Sequence, residues 1–151
     1  MDSSQLQLNN QICFPIYSTS RLITKAYKPY LDKLGITYPQ YLVLLVLWEK
    51  DRKTVNELTN KLMLDTNTLS PLLKRMEKMD LLQRKRSQED QRNVIIELTT
   101  KGNQLKSKAL HIPENLLGTI LNEEISLDKV IQLKETLDAL IERLKTNIRN
   151  T

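Results

Sequence analysis

Asp65–Met79, DTNTLSPLLKRMEKM, is the stretch on which the reading of the whole chain turns. Leu69, Leu72, Leu73, Met76 and Met79 recur at three- and four-residue spacing, which draws an apolar stripe along one side of a helix. Asn67, Ser70, Lys74 and Lys78 fall along the opposite side, Arg75 stands at its margin, and Glu77 is the only acid within the helix. A short helix with one buried face and one basic, donor-rich face suits the major groove of DNA. An ordinary solvated surface helix explains this segment equally well. The flanking sequence separates the two readings.

Upstream, Thr54-Val55-Asn56-Glu57 is a capping box that opens a short helix with Val55, Leu58 and Leu62 inward, ending near Met63. Leu64-Asp65 then reads as a tight turn, with Asp65 or Thr66 capping the next helix. Two short helices joined in this way make a helix-turn-helix. Ser70-Pro71 is a competing cap and first helical position. If the helix starts at Thr66 instead, Pro71 removes one backbone hydrogen bond. Downstream the period changes to that of strands: 82–86 and 94–98 flank the polar loop SQEDQRN. The first strand carries Arg84, Lys85 and Arg86, and the loop tip carries Glu89, Asp90 and Arg92. A hairpin directly after a helix-turn-helix is the wing of a winged helix; a solvated hairpin with a charged tip is the plainer reading.

The remainder of the chain is helical by pattern. Residues 1–8 read as a loose arm. From about Asn9 to Leu34 the residues Ile12, Ile16, Ile23, Tyr27, Tyr30, Leu31 and Leu34 form a long amphipathic pattern closed by Gly35. Pro15 interrupts its start and Pro29 threatens its far end, so Cys13 is placed at a helix N-terminus or beside a kink. Thr37 and Gln40 form a second capping box, stapled by Ile36 and Tyr41, before the apolar run YLVLLVLW to about Glu49. Thr99 caps a helix to roughly Leu121 that Pro113 bends or divides. Ser126 caps a last helix in which Val130, Leu133, Leu137, Leu140, Leu144 and Ile148 keep near-heptad spacing. That stripe is too long for a small winged-helix core to cover, and with the N-terminal helix it reads as a dimer interface.

Composition agrees. The chain has 151 residues and a formal charge of +5, which makes a polyanionic partner plausible without requiring one. One cysteine excludes an internal disulfide and a multi-cysteine metal site. Three glycines and one histidine leave little material for a dinucleotide fold, a phosphate loop or a histidine-based catalytic site, and His111 reads as a surface or packed residue. No signal peptide and no bilayer-length apolar run is present, which implies a soluble, cytoplasmic protein with no membrane partner. The expected fold is mainly α with a small β-hairpin wing: a winged helix-turn-helix over 36–98, flanked by dimerisation helices at 1–35 and 99–151.

The order of helices, wing and terminal helices resembles the multiple-antibiotic-resistance-regulator (MarR) family. Two stretches, NQICFPIYSTSR…YKPYLDKLGITYPQYLVLLVLWE and LDTNTLSPLLKRME…RKRSQEDQRNVIIELT, are similar to its organic-hydroperoxide repressors of the OhrR type. The likeness spans nearly the whole chain and thins after about residue 113. It implies that Cys13 is a peroxide sensor, that Tyr27 and Tyr38 of the other subunit hydrogen-bond its sulfur, with Tyr17 one turn along from it, and that Arg92 behind Asp90 is the wing arginine. It also implies DNA contacts from the recognition helix and wing, for which Thr66, Asn67, Thr68, Ser70, Pro71, Lys74, Arg75, Arg84 and Arg86 are the candidates. Two departures stand out. The usual Asp-Ser-Gly-Thr at the recognition helix is Asp65-Thr66-Asn67-Thr68, and the leucine common two places after the sensor is Pro15.

A lone cysteine among apolar residues is ordinarily a small buried hydrophobe. A helix N-terminus favours the reactive thiolate instead, and tyrosine hydroxyls can donate to it. With no second cysteine, a sulfenic acid here needs an external small thiol, or runs on to the sulfinic acid. The leading expectation is a dimeric repressor, not an enzyme, that holds a pseudo-palindromic DNA operator without cofactor or metal. Organic hydroperoxide, followed by a small cellular thiol, releases it. The alternatives are release by a non-covalently bound phenolic or aromatic ligand, and a thiol-based global regulator of stress and virulence. A cysteine peroxidase and a winged helix used only for protein contacts complete the set.

Overall fold

The computed structural model describes residues 3–86 and 94–149, so the wing tip with Glu89, Asp90 and Arg92 lies outside the described residues. Two compact units make up the chain, residues 1–112 and 113–151. In the first, Cys13–Leu34 (α1) and Tyr38–Glu49 (α2) precede Lys53–Thr54 (β1), Val55–Leu62 (α3), Thr66–Lys78 (α4), Leu82–Arg86 (β2), Val94–Leu98 (β3) and Thr100–Ala109 (α5). Ile112–Ile120 (α6) and Leu127–Arg149 (α7) follow.

Local chemistry sets most boundaries. At the end of α1, Gly35 is left-handed (φ 68°); its N–H donates to Asp32 and the Ile36 N–H to Leu31, the paired bonds of a Schellman stop. Gln40 Oε1 accepts the Thr37 amide at 2.8 Å, closing the capping box that starts α2. Thr54 and Glu57 do the same for α3, with Glu57 Oε2 accepting the Thr54 amide at 2.8 Å and Thr54 Oγ1 accepting that of Glu57 at 3.1 Å. Asp65 is the cap of α4, its Oδ1 accepting the Thr68 amide at 2.7 Å. Thr99 caps α5 through the Gly102 amide.

Prolines correct several expected boundaries. Before α1 the chain forms short 3-10 turns at Ser3–Leu6 and Leu8–Asn10 rather than a loose arm, and the helix begins at Cys13, not near Asn9. A helix starting earlier would need the absent N–H of Pro15 to reach the Gln11 carbonyl. The same logic divides the expected long helix after Thr99. Pro113 cannot donate to Ala109, so α5 stops there and α6 begins at Ile112. Pro29, in contrast, is accommodated inside α1. So is Pro71 inside α4, which starts at Thr66 and not at the Ser70-Pro71 signal. An internal proline costs about 3 kcal/mol. A helix from Pro71 would still carry Leu72, Leu73 and Met76, so the balance rests on Leu69, fully buried and contributing roughly 1.5–3 kcal/mol, and on the Asp65 cap, about 1 kcal/mol; together they offset the proline.

At the centre lies α2, apolar on every side, with Tyr41, Val43, Leu44, Val46 and Leu47 buried; it touches α1, α3, α4 and α5. The sheet has three antiparallel strands in the order β1-β3-β2, with Lys53 opposite Ile96 and Arg84 also opposite Ile96 from the other side. The two wing strands match expectation, whereas β1 was not expected as a strand, because two residues leading into a cap have no periodicity to read. Asp51 completes this edge, its Oδ1 accepting the Leu98 amide at 3.0 Å.

Gly102 marks the tightest approach. A Cβ there would lie 2.0 Å from the Leu81 carbonyl oxygen, while one on Gly118 would meet nothing within 4 Å. Gly102→Ala is therefore expected to lower the urea unfolding free energy by about 1–3 kcal/mol. Gly118→Ala, an open helical position in α6, is expected to raise it by about 0.5–1 kcal/mol. Opposite signs in parallel urea titrations are the check.

The capping boxes also carry a pH dependence. The backbone amide of Thr54 first, then the Lys53 ammonium, holds the Glu57 carboxyl down from 4.5 to about 2. A depressed carboxyl stabilises the fold above its unfolded value and loses that contribution as pH falls through the folded one. The difference in urea midpoint between wild type and Glu57→Gln should be full at pH 6, shrink between 4.5 and about 2, and vanish below.

Candidate nucleic-acid interface and thiol site

Burial of the α4 stripe fixes the rotation of the helix and so decides what faces out. Thr66, Asn67, Thr68, Ser70, Pro71, Lys74, Arg75 and Lys78 are all exposed. The exposed proline matters: its missing N–H leaves the Asn67 carbonyl without a helical donor, on a surface where water or a ligand can reach it. Between α3, the start of α4 and the sheet is a depression of about 310 Å³ lined by Asn56, Thr66, Ser70, Arg84 and Val94 among others. The structure thus brings the candidate readers of α4 onto one surface with the base of the wing. Arg86 is exposed beyond it, and Asp90 and Arg92 fall outside the described residues.

Arg84 is not a free cation. Its Nε donates to Glu77 Oε2 at 2.8 Å, Nη2 lies 2.7 Å from the same oxygen, and its backbone N–H donates to Glu77 Oε1 at 3.2 Å. On the other side of the strand, Lys85 and Gln83 both donate to Glu97. Sequence reasoning missed these partners, since Glu77 is seven residues from Arg84 and Glu97 is fourteen from Gln83. Alternation along β2 was the available signal.

The candidate thiol site is built around α1. Cys13 is its first residue and is exposed; of the amides that follow it, that of Phe14 is taken by the Gln11 carbonyl at 3.2 Å and Pro15 has none to offer. Tyr17, one turn on, accepts from Arg21 Nη1 at 3.1 Å and carries the Arg21 guanidinium 5.5 Å over its ring. Tyr27 and Tyr38 lie together elsewhere, their ring centroids 5.0 Å apart, and Tyr41 joins them at 5.7 Å from Tyr27. Burial chiefly, with Tyr38 and Tyr41 adding, pushes the Tyr27 phenol up to about 12, and burial raises that of Tyr38. Both phenols therefore keep their protons and remain donors at neutral pH. Fourteen helical residues separate Cys13 from Tyr27, about 21 Å at 1.5 Å per residue. One chain does not bring sensor and tyrosines together.

Tyr38 lines a groove of about 750 Å³ between α1 and the start of α2, together with Arg21, Lys25, Lys28, Thr37 and Pro39. Among the described residues no group of three or more His, Cys, Asp or Glu side chains could hold a metal ion, and no helix is long and apolar enough to cross a membrane.

Comparison with known proteins adds identity to this geometry. Residues 25–109 match the family described as transcriptional regulator SarA/Rot. The organic hydroperoxide resistance transcriptional regulator of Bacillus subtilis is 52% identical over 139 residues, covering 92% of both chains. The HTH-type transcriptional regulator MgrA of Staphylococcus aureus is 37% identical over 140 residues, 92% of this chain and 93% of its own. The structure of reduced AbfR bound to DNA superposes with a TM-score of 0.80 at 38% identity, covering 98% of this chain and 99% of that one. With a winged helix over α2–β3, these relatives place the chain in the MarR-type winged-helix transcriptional regulators, in the branch of the organic hydroperoxide resistance regulators.

Proposed function

We propose that the protein is a homodimeric, DNA-binding transcriptional repressor that senses organic hydroperoxides through oxidation of Cys13 and then leaves its operator. The observation that carries this is the place of Cys13: exposed on the first residue of α1, about 21 Å along that helix from Tyr27. A site of Cys13, Tyr27 and Tyr38 closes only between two copies. The neighbours of Cys13 are dressed for such a contact, since Ile12, Phe14, Ile16 and Tyr17 are exposed. In the 113–151 unit, Leu133, Leu140, Leu144 and Ile148 are likewise exposed along α7. A second copy covers both surfaces in this reading, with 1–35 and 99–151 as dimerisation segments and 36–98 as the reading head.

On DNA, α4 enters a major groove with Thr66, Asn67, Thr68, Ser70, Pro71, Lys74 and Arg75, and the wing follows with Arg86, Asp90 and Arg92, while Arg84 stays paired with Glu77 at the wing's base. Two heads on a two-fold axis call for a pseudo-palindromic operator. The protein works in the cytoplasm and as a regulator, not an enzyme, with neither cofactor nor metal. The relative named for organic hydroperoxide resistance and the reduced, DNA-bound AbfR support inducer and target respectively.

The chemistry balances with the one cysteine present. The Cys13 thiolate attacks the outer oxygen of an alkyl hydroperoxide; an S–O bond forms, the O–O bond breaks, and the alcohol leaves with a proton. Sulfur loses two electrons. A small cellular thiolate then attacks the sulfenic sulfur, water leaves, and the mixed disulfide adds the bulk that displaces the partner's helix ends. The groove lined by Lys25, Lys28 and Tyr38 supports the second reading, a reversibly bound aromatic acid.

Wild-type protein is expected to sediment as a dimer at micromolar concentration, and Leu137→Asp with Leu144→Asp as a monomer that no longer shifts operator DNA. Burying unpaired carboxylates in the interface is the cause. A monomeric wild type would refute the assignment of both surfaces.

Cys13→Ser is expected to hold operator DNA like wild type in a mobility-shift assay and to ignore cumene hydroperoxide. Intact mass of wild type should show a mixed disulfide with the added thiol. Release of Cys13→Ser by peroxide would move the groove ligand ahead.

A further inference from the structure

Glu77 occupies a place where a DNA-reading helix gains nothing from a carboxylate. It lies in the last turn of α4, at the negative end of the helix dipole, and the approaching phosphates would repel it. Lys74, Arg75 and Lys78 around it are all exposed cations. Its compensation comes from one residue of the wing. Glu77 Oε2 takes Nε of Arg84 at 2.8 Å with Nη2 at 2.7 Å, and Oε1 takes the Arg84 backbone amide at 3.2 Å. Because β2 is an edge of the sheet, that amide has no strand beyond it, and Glu77 gives it a partner. Gln83 and Lys85 turn to Glu97 instead, so of these three neighbours strand alternation sends only Arg84 toward α4.

We propose that Glu77 is a positioning and specificity residue for DNA binding: its carboxylate clamps the wing to the recognition helix and withholds the Arg84 guanidinium from indiscriminate phosphate pairing. The proposal rests on the DNA-binding reading above. Side chain and backbone are held together, so the clamp fixes the path of β2 as well as one cation. An arginine released from it would neutralise phosphates of any sequence, and that contribution to binding is the salt-sensitive, non-specific one. The strand freed with it would no longer present Arg86 at a set distance from α4.

The test uses full-length reduced protein and two duplexes, one selected from random sequence by the wild type and one scrambled, titrated by fluorescence anisotropy over a salt series. Glu77→Gln should bind the scrambled duplex several-fold tighter and steepen its log K against log salt slope by about one. The selected-to-scrambled affinity ratio should fall on the order of tenfold. In an Arg84→Gln background, Glu77→Gln should leave the ratio unchanged and alter the slope by less than it does with Arg84 present. A merely structural role would weaken both duplexes alike at constant slope, and that result overturns the proposal. Should Glu77→Gln fail to fold by circular dichroism, Arg84→Lys carries the test, because it keeps the charge but cannot fork onto the carboxylate. It should lower the ratio in the same way, and an unchanged ratio overturns the clamp. A wild type that holds no duplex in preference overturns the DNA-binding reading itself; a wild-type preference that survives Glu77→Gln at unchanged slope overturns the clamp alone.

Discussion

Everything on the reading surface depends on the burial of one side of α4. Leu69, Leu72, Leu73 and Met76 are sunk in the core that α2 dominates, and this sets both the length of the helix and its rotation. The same contacts hold Pro71 inside a helix that local rules would end or restart there. A rigid stripe alone would not orient the wing, and the next residues supply that. Asp80 takes a left-handed backbone (φ 58°), the Leu81 amide returns to Met76, and Thr99 Oγ1 donates to the Asp80 carbonyl at 2.6 Å. Lys101 reaches the Met79 carbonyl from α5. The turn from reading helix to wing is thus clasped by the start of α5.

The tyrosines and the reading helix share α2 as their support. Tyr27, Tyr38 and Tyr41 stack in a cluster, and Tyr41 meets Trp48 edge-on at 6.2 Å. Trp48 Nε1 donates to the Gly102 carbonyl at 3.0 Å, on the helix that clasps the wing turn. At the other end of α2, the buried Gln40 uses its oxygen on the Thr37 cap and its nitrogen on Met79 Sδ at 3.4 Å, just past the end of α4. Displacing Tyr38 therefore strains a close-packed helix that touches α4 directly. Close packing favours discrete alternative arrangements over gradual yielding, which suits a repressor that must either hold or release.

What the sequence made legible was local chemistry. Four caps, the Gly35 stop, the stripe of α4 and both wing strands follow from side chains within four residues of one another, or from strict periodicity. What it hid was decided at a distance. Ser70-Pro71 competed with Asp65 as the start of α4, because the burial of Leu69 that decides between them comes from the surrounding core. Gly102 looked unremarkable until Leu81, twenty-one residues earlier, came against it. Arg84 read as a free DNA-facing cation, because nothing in LQRKR announces Glu77. The proposed thiol site stays open in one chain, since Cys13 and the tyrosines that the resemblance assigns to it, Tyr27 and Tyr38, sit far apart along and beyond α1.

That separation is itself informative about the chemistry. A cysteine that must meet a hydroperoxide and then a second thiol needs an open approach, and buried cysteines are inert for the same reason. Placing Cys13 at an exposed helix start provides the approach, but leaves it without the donors that orient a peroxide or hold a thiolate. Tyr27 and Tyr38 are suited to supply them from a partner chain. Their burial, which raises both phenols, keeps them protonated throughout the neutral range, so the donors do not change with pH across that range in the proposed site. Partly buried, they pack against the core around α2, so in the proposed site an added oxygen or a thiol adduct at Cys13 meets side chains without free room to swing. A sensor divided in this way reads oxidation only as a dimer. Dimer geometry is also what an operator of two half-sites measures, so in the proposed mechanism sensing and release act on a single quantity, the spacing of two α4 helices.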